Sequence, residues 1–314
     1  MKYAVESWSP EYGSSLDDAA LEASQVPVDV DVEVPPAQWA PLRPTVAPAT
    51  RVLFVDGVRR IDARVWVTTA NGLSRAGIAA TYAAGVVCCD GTAKLDAAEV
   101  RRAVFSPVPD ADALQTRCGT YTPILADGEG VDDLVAQLQQ QMRALERTVA
   151  AGLGAADLVV VDGPLSRPAV DGAVGYIKTH QRSYLPAELA GIVGALAPGE
   201  RTPLFRTLTR EPRYAWYARL PGGDGHPWAG VVRGETPGEL PVAAARRLAD
   251  LATATWPRFA SSAHKDPRAP QNLHPIAELE RALRRRLGDP ALLYRALRVG
   301  AAAGPRAAGD ALTT

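Results

Sequence analysis

Two aspartates in this sequence each close a short apolar run and stand directly before a glycine. Asp56 ends the run in RVLFVDG, and Asp162 ends the run in DLVVVDG. A long stretch with helical periodicity lies between them and carries Glu146, sixteen residues before Asp162. An aspartate at the carboxyl end of a buried strand lies at the rim of a sheet, where functional groups are commonly placed. If the chain turns near Gly154 and enters the second strand, Glu146 comes beside Asp162, so the sequence predicts that the three acids meet.

Three clustered carboxylates repel one another unless cations lie among them, and they are the oxygen ligands that hard divalent ions prefer. Two such ions can activate a water and stabilise the leaving oxygen of a phosphodiester. The pattern therefore favours phosphate chemistry over acid–base chemistry by the carboxylates. Two simpler explanations stay open, because Asp-Gly is common in ordinary turns and a helical glutamate such as Glu146 is more often solvated.

Two basic residues interrupt apolar runs, Lys178 in GYIKTHQRSYL and Arg233 in GVVRGE. A cation inside a strand needs a partner. That partner is either a structural carboxylate, the commoner case, or a substrate phosphate.

Strand-like and helix-like patterns alternate along the chain, which favours an α/β or α+β domain. Three β-branched runs with short connections suggest a meander, and a hairpin is expected late in the chain. The predicted strands are 51–58, 61–70, 78–89, 157–165, 173–180, 213–220 and 228–235. The predicted helices are 95–105, 131–153 and 241–256, and residues 276–298 are predicted to form one or two further helices.

Composition divides the chain into an acidic, proline-rich arm (1–47), a folded domain (48–299) and a low-complexity tail (300–314). Residues 1–40 carry eight acids and one base, which leaves 33 bases and 27 acids in the remainder. Such a basic body is compatible with nucleic-acid binding without requiring it. The alternating 29–34 stretch could add an edge strand.

Several classes are disfavoured. No apolar stretch is long enough to span a membrane, and no phosphate-binding GxxxxGK[ST] loop, GxGxxG or HExxH motif is present. The three cysteines fit neither a disulfide framework nor a zinc site, so we expect a cytoplasmic protein with reduced thiols.

The order of these pieces resembles the NurA nuclease family, whose core is ribonuclease H-like. The resemblance spans residues 50 to about 298, and its carrying segments are FVDGVRR, LERTVAAGLGAADLVVVDGPL, GYIKTHQRSYL, YARLP, VVRGE and DPRAPQNLHPIAELERALRRRLGDP. It implies a manganese- or magnesium-dependent DNA nuclease with single-strand endonuclease and 5′-to-3′ exonuclease activity. It also implies a homodimer that works with a hexameric HerA-type helicase in DNA end processing.

By motif, the resemblance assigns Asp56, Glu146 and Asp162 as metal ligands. The family's carboxy-terminal motif often holds a Tyr and a His near the metal, whereas this chain has Asn272 and Glu280 there. Glu280 could serve as an oxygen ligand instead. We expect Lys178 and Arg233 to neutralise phosphate charge.

Two other functions are consistent with the sequence. The altered carboxy-terminal motif is compatible with a non-catalytic adaptor that keeps the nuclease fold and docks on a helicase ring. A hydrolase of another phosphate ester is the third possibility.

Overall fold

The computed structural model describes residues 22–303, except residues 70, 166–169, 181 and 224–225. These residues divide into two compact units within the following ranges. The first unit takes Met1–Val55, Val87–Leu95 and Leu153–Glu278, and the second takes Asp56–Val86, Asp96–Gly152 and Leu279–Thr314.

Strands and helices alternate along the described chain. The strands are β1 (Glu22–Ala23), β2 (Val28–Asp29), β3 (Val52–Thr68), β4 (Ser74–Asp90), β5 (Thr92–Ser106), β6 (Leu114–Thr116), β7 (Gly119–Leu125), β8 (Leu158–Asp162), β9 (Ala173–Ile177), β10 (Arg182–Ser183), β11 (Phe205–Thr207), β12 (Arg213–Arg219) and β13 (Val231–Pro237). The helices are α1 (Val131–Ala151), α2 (Ala187–Ala195), α3 (Val242–Thr255), α4 (His274–Arg286) and α5 (Pro290–Ala303), with 3-10 turns at Pro36–Gln38 and Trp256–Phe259.

The sheet of the first unit is mixed. The start of β3 pairs in parallel with β8, with Val55 opposite Val161, and β8 pairs in parallel with β9. From β9 outward, β13, β12, β11 and β2 follow in antiparallel pairs. Parallel strands buried on both faces read as continuous apolar runs, which explains the LVVV sequence of β8.

Helix α3 packs against β8, β12 and β13 of this sheet. It does so through small residues, since Ala245, Ala249 and Ala252 are fully buried at helical spacing. Small side chains let the helix backbone approach the sheet closely. Trp216 of β12 fills the adjoining space, donates to Thr253 Oγ1 over 3.2 Å and stacks on Trp256.

The second unit contains most of β3, β4 and β5, which are successive neighbours in their sheet. β5 also pairs in parallel with β7, and β7 pairs antiparallel with β6. A small apolar cluster of Ala79, Val104, Tyr121 and Leu297 packs within this unit. Helix α1 buries one apolar face, which contains Leu134, Leu138, Leu145 and Val149.

The fold is therefore α/β, with a mixed sheet flanked by helices, as the sequence predicts, and it is consistent with a ribonuclease H-like core. The late hairpin is confirmed as β12 and β13. The predicted helix over 131–153 is confirmed as α1, and the one over 241–256 as α3. Residues 276–298 form parts of two helices, α4 and α5.

Two local predictions were wrong. Residues 95–105 were expected to be helical, yet they belong to β5, where pairing with β4 and β7 outweighs their helical periodicity. Asp56 and Gly57 were expected to end a strand in a turn, but β3 continues through both to Thr68. The two runs at 51–58 and 61–70 therefore lie on one strand, and Gly57 serves a purpose other than a turn.

Residues 22–50, which include most of the predicted arm, lie in the first unit and make specific contacts. β2 pairs with β11 at Val28 and Asp29, where the sequence suggested an edge strand. Trp39 packs against the apolar cluster around Phe205 and Tyr217 and donates to Val30 O. The first 21 residues of the predicted arm and most of the predicted tail fall outside the described residues.

None of the helices in the described ranges combines the length and the apolar composition that crossing a lipid bilayer requires.

Candidate acidic site

Asp162 is the last residue of β8, as the sequence predicts. Its Oδ2 accepts a hydrogen bond from Lys178 Nζ over 2.7 Å, and the pair is largely buried, with side chains 18% and 12% exposed. Its Oδ1 is buried and has no hydrogen-bond partner among the described residues. A buried carboxylate oxygen without a donor is costly, so this atom is suited to a ligand.

Lys178 comes directly after β9, beside β8 in the parallel sheet. Its ammonium also donates to Asn272 Oδ1 over 3.1 Å. An ammonium has three donors, and within the described ranges the structure gives this one two acceptors. One N–H of Lys178 is therefore available for a further acceptor.

Asp56 and Glu146 are both buried members of the second unit. Asp56 Oδ1 accepts from the backbone N–H of Gly57 over 2.7 Å. The Glu146 carboxylate lies against Gly57, so closely that a methyl group at position 57 would overlap both Glu146 Oε1 and the Met142 side chain. Glycine at 57 thus lets a carboxylate from α1 approach the backbone next to Asp56.

The helical pattern of α1 explains why Glu146 is buried. Leu138, Met142, Leu145 and Val149 form its buried face at helical spacing, and Glu146 belongs to the same face. Carboxylates are rarely buried unless they are paired or bind a cation. This separates Glu146 from the solvated helix residue that the sequence left as an alternative.

Arg233 on β13 is buried and has a carboxylate partner. Its guanidinium pairs with Glu235 over 2.9 Å and lies 4.3 Å from the centroid of the Tyr184 ring. The structure thus supplies the structural ion pair that the sequence gave as one explanation for this cation.

His180 lies in the same region as Arg233 and packs against the rings of Tyr217 and Trp228, whose centroids are 5.7 and 5.0 Å from its own. Burial, with a smaller contribution from Arg233, lowers the pKa of His180 to about 4. The ring is therefore neutral near pH 7, and its Nε2 lies 3.0 Å from Val231 O.

Glu280 belongs to α4 in the second unit and accepts from Arg284, one turn later, with Nη2 at 2.7 Å. Asn272, in contrast, is fully buried in the first unit and contacts Lys178 directly. Of the two residues in the altered motif, Asn272 is thus the one that meets another predicted site residue in its own unit.

One site residue escaped the sequence analysis. Asp266 accepts from Asn272 Nδ2 over 2.6 Å and thereby extends the contacts of Lys178. Its signal was an acid six residues before Asn272 in the DPRAPQN segment. A loop without periodicity does not reveal which of its side chains turn inward, so the sequence did not single it out.

The chemistry of these residues fits a hard divalent cation. The predicted ligands are all carboxylates, which Mg²⁺ and Mn²⁺ accept, and the buried Oδ1 of Asp162 lacks a donor in the described ranges. In the part of the chain that the structure describes, no group of three or more His, Cys, Asp or Glu is arranged so that it could hold a metal. Metal binding by Asp56, Glu146 and Asp162 together thus stays a prediction.

The family model described as the NurA domain matches residues 51–285, about three quarters of the chain. No curated protein matches the chain. The matched range includes β3, α1, β8 and the loop that carries Asp266 and Asn272.

Proposed function

Since this chain belongs to the NurA family of nucleases, we propose that it is a metal-dependent deoxyribonuclease. In this proposal it cuts DNA as a single-strand endonuclease and a 5′-to-3′ exonuclease. The family match over residues 51–285 carries the proposal. The buried, unpartnered oxygen of Asp162 in the described structure supports the metal requirement.

Asp56, Glu146 and Asp162 are the proposed ligands of Mn²⁺ or Mg²⁺. The bound ion would supply an activated water and charge stabilisation for in-line attack on a phosphodiester. The chain's own contribution is to keep these carboxylates out of bulk water, since Asp56 and Glu146 are each 7% exposed. Low exposure strengthens their attraction for a divalent cation.

Lys178 and Arg233 are the proposed phosphate contacts. Their surroundings support a larger contribution to phosphate binding from Lys178 than from Arg233. Lys178 donates to Asp162 and Asn272 and keeps a third N–H without an acceptor in the described part of the chain. Arg233 is already engaged by Glu235 and Tyr184. We therefore assign the main phosphate contact to Lys178.

The partners remain proposals that rest on the family. We propose a homodimer that acts on DNA ends in the cytoplasm together with a hexameric HerA-type helicase. Glu280 is a further proposed oxygen ligand, and its engagement with Arg284 implies that the ion pair would have to open.

The function is tested with Asp56→Ala and Asp162→Ala. We expect each variant to lose Mn²⁺-dependent cleavage of single-stranded DNA by roughly a thousandfold or more, because the ion contributes several kcal/mol to transition-state stabilisation. Glu188→Ala, which removes an exposed acid on α2, is the matched control and should cleave like wild type. Thermal unfolding should show that the variants remain folded.

Equal cleavage of single-stranded DNA by the two aspartate variants and by wild type would show that Asp56 and Asp162 are not ligands of a catalytic metal ion. Calorimetric titration of Mn²⁺ separates the nuclease from the non-catalytic adaptor, since an adaptor should bind no metal at these acids. Comparison of turnover on DNA and on small phosphate esters distinguishes the nuclease from a hydrolase of another phosphate ester.

A further inference from the structure

The loop from Asp266 to Asn272 is fastened to the strands that carry the acidic site of the first unit. Tyr176 on β9 donates to Gln271 O over 2.7 Å. Gln271 Nε2 in turn donates to the backbone oxygens of Lys178 and Val231, over 3.3 and 3.0 Å. These bonds fix the loop backbone, and with it the place of the Asn272 side chain.

A continuous series of hydrogen bonds runs from this loop to Asp162. Asp266 Oδ2 accepts from Asn272 Nδ2 over 2.6 Å, and Asn272 Oδ1 accepts from Lys178 Nζ over 3.1 Å. Lys178 Nζ then donates to Asp162 Oδ2 over 2.7 Å. Asn272 is fully buried, so water cannot replace its partners without cost.

The direction of this series is set by its ends. An ionised carboxylate only accepts hydrogen bonds and an ammonium only donates them, whereas an amide has one end of each kind. Because Asp266 accepts, Asn272 must turn its NH₂ toward Asp266 and its oxygen toward Lys178. The opposite orientation would bring two donors together at Lys178.

The state of Asp266 agrees with this direction. Burial raises the pKa of Asp266, but the hydrogen bonds from Asn272 and from the Arg268 backbone, together with the charge of Arg268, outweigh it and lower the pKa below its usual value. The carboxylate is thus ionised near pH 7.

We propose that Asp266 is a positioning residue of the acidic site: it orients Asn272, which holds Lys178 against Asp162 Oδ2 and leaves Asp162 Oδ1 for the metal ion. The part of this inference that concerns the metal rests on the proposed nuclease function. The part that concerns Lys178 does not.

Lysine-selective isotope labelling tests the position of Lys178 without metal or DNA. The chain has four lysines, Lys2, Lys94, Lys178 and Lys265, and the ammonium of Lys178, with its side chain 12% exposed, should exchange its protons far more slowly than an exposed one. The Lys178→Met variant assigns its signal. In Asp266→Asn we expect the exchange of Lys178 to accelerate at least about tenfold, while Lys94, which is exposed, keeps its rate.

The double variant Asp266→Asn with Asn272→Asp reverses the roles of the two side chains. The amide at 266 can then donate to the carboxylate at 272, which accepts from Lys178. We expect slow exchange at Lys178 to return. If Asp266→Asn fails to fold, the double variant decides, because a folded protein with a protected Lys178 supports the series and an unfolded or unprotected one overturns it.

Calorimetry tests the link to the metal. We expect Asp266→Asn to weaken Mn²⁺ binding roughly tenfold, as changes to groups that orient a ligand typically do, and the double variant to recover part of the loss. Unchanged Mn²⁺ affinity or unchanged Lys178 exchange in Asp266→Asn would overturn the inference. If wild type binds no Mn²⁺, the proposed nuclease function fails, and the exchange of Lys178 still decides the positioning of that residue.

Discussion

Glycine at position 57 lets the Glu146 carboxylate lie directly against the backbone of β3. The residue does not adopt a backbone conformation that only glycine favours, since its φ is outside the positive range. The requirement is instead for space, because any Cβ would overlap Glu146 Oε1 and crowd the Met142 side chain. The Asp-Gly pair at 56–57, which is typical of a turn, therefore marks the place where α1 approaches β3 closely.

This argument predicts the effect of Gly57→Ala. The added methyl group should displace the Glu146 carboxylate and, under the proposed metal-dependent function, weaken Mn²⁺ binding roughly tenfold to a hundredfold, the range seen when the surroundings of a metal ligand change. Overpacking should also lower the free energy of unfolding by about 1–3 kcal/mol. Calorimetry and urea unfolding measure the two effects.

Gly191→Ala on α2 is the matched control for this change, because a Cβ at 191 meets nothing within 4 Å. It should leave Mn²⁺ affinity unchanged. If Gly57→Ala binds Mn²⁺ as wild type does, Glu146 is not a ligand whose position matters.

At the scale of elements, a buried cluster of charges adds to the strand pairing and apolar packing that hold the segment before β3 in the first unit. Glu33 accepts from both terminal nitrogens of Arg201, each over 2.8 Å, and from the Leu204 backbone N–H over 2.7 Å. Arg201 also donates to Asp250 of α3. At least one acid of residues 22–50 thus has a structural role, because Glu33 joins this segment, through Arg201, to α3 and to the residues that lead into β11.

Removal of the charge in Glu33→Gln should destabilise the protein by roughly 3 kcal/mol, the lower end for breaking a buried ion pair. Burial raises the pKa of Glu33, but the contacts with Arg201, the hydrogen bond from the Leu204 N–H and the charge of Arg246 together outweigh it and hold the pKa below its usual 4.5. The contribution is therefore fully present above about pH 5 and is lost as the pH falls through the lowered pKa. Urea unfolding near pH 7 and at acid pH should show the variant and wild type converging on acidification.

Asp31→Asn is the control for that experiment, because Asp31 is an exposed acid of the same segment. It should change the free energy of unfolding by less than about 0.5 kcal/mol. A difference between Glu33→Gln and wild type that persists at acid pH would contradict the ionic origin of the effect.

The elements also show what the sequence could and could not predict. Asp162 was placed correctly at the end of β8 because four apolar residues in a row leave few alternatives to a buried strand. Residues 95–105 were misassigned because their helical spacing is a local signal, while β5 is specified by distant partners in β4 and β7. Lys178 was predicted to lie inside a strand and to need a partner; it has that partner in Asp162, but it follows β9 instead of lying within it. Asp266 was not singled out, since its contact with Asn272 depends on how a loop folds back.

At the scale of the whole molecule, the charges are unevenly distributed along the sequence. Residues 1–21 contribute four acids and one base, so a chain without residues 2–21 changes from a formal net charge of −1 to +2. Repulsion between like charges acts over roughly 8 Å at physiological salt. Under the proposed nuclease function, the acidic residues 1–21 should therefore weaken the attraction of the chain for the phosphate backbone of DNA.

Deletion of residues 2–21 should accordingly strengthen binding to single-stranded DNA about threefold to tenfold at low salt, with the gain disappearing as salt screens the charges. Fluorescence anisotropy over a salt series measures this. The control keeps the full length, neutralises Glu6, Glu11, Asp17 and Asp18 as amides and replaces Lys2 with Gln, so it shares the net charge of the deletion but not its length. If the control binds like wild type while the deletion gains affinity at every salt concentration, the segment acts by occupying space and not through its charge.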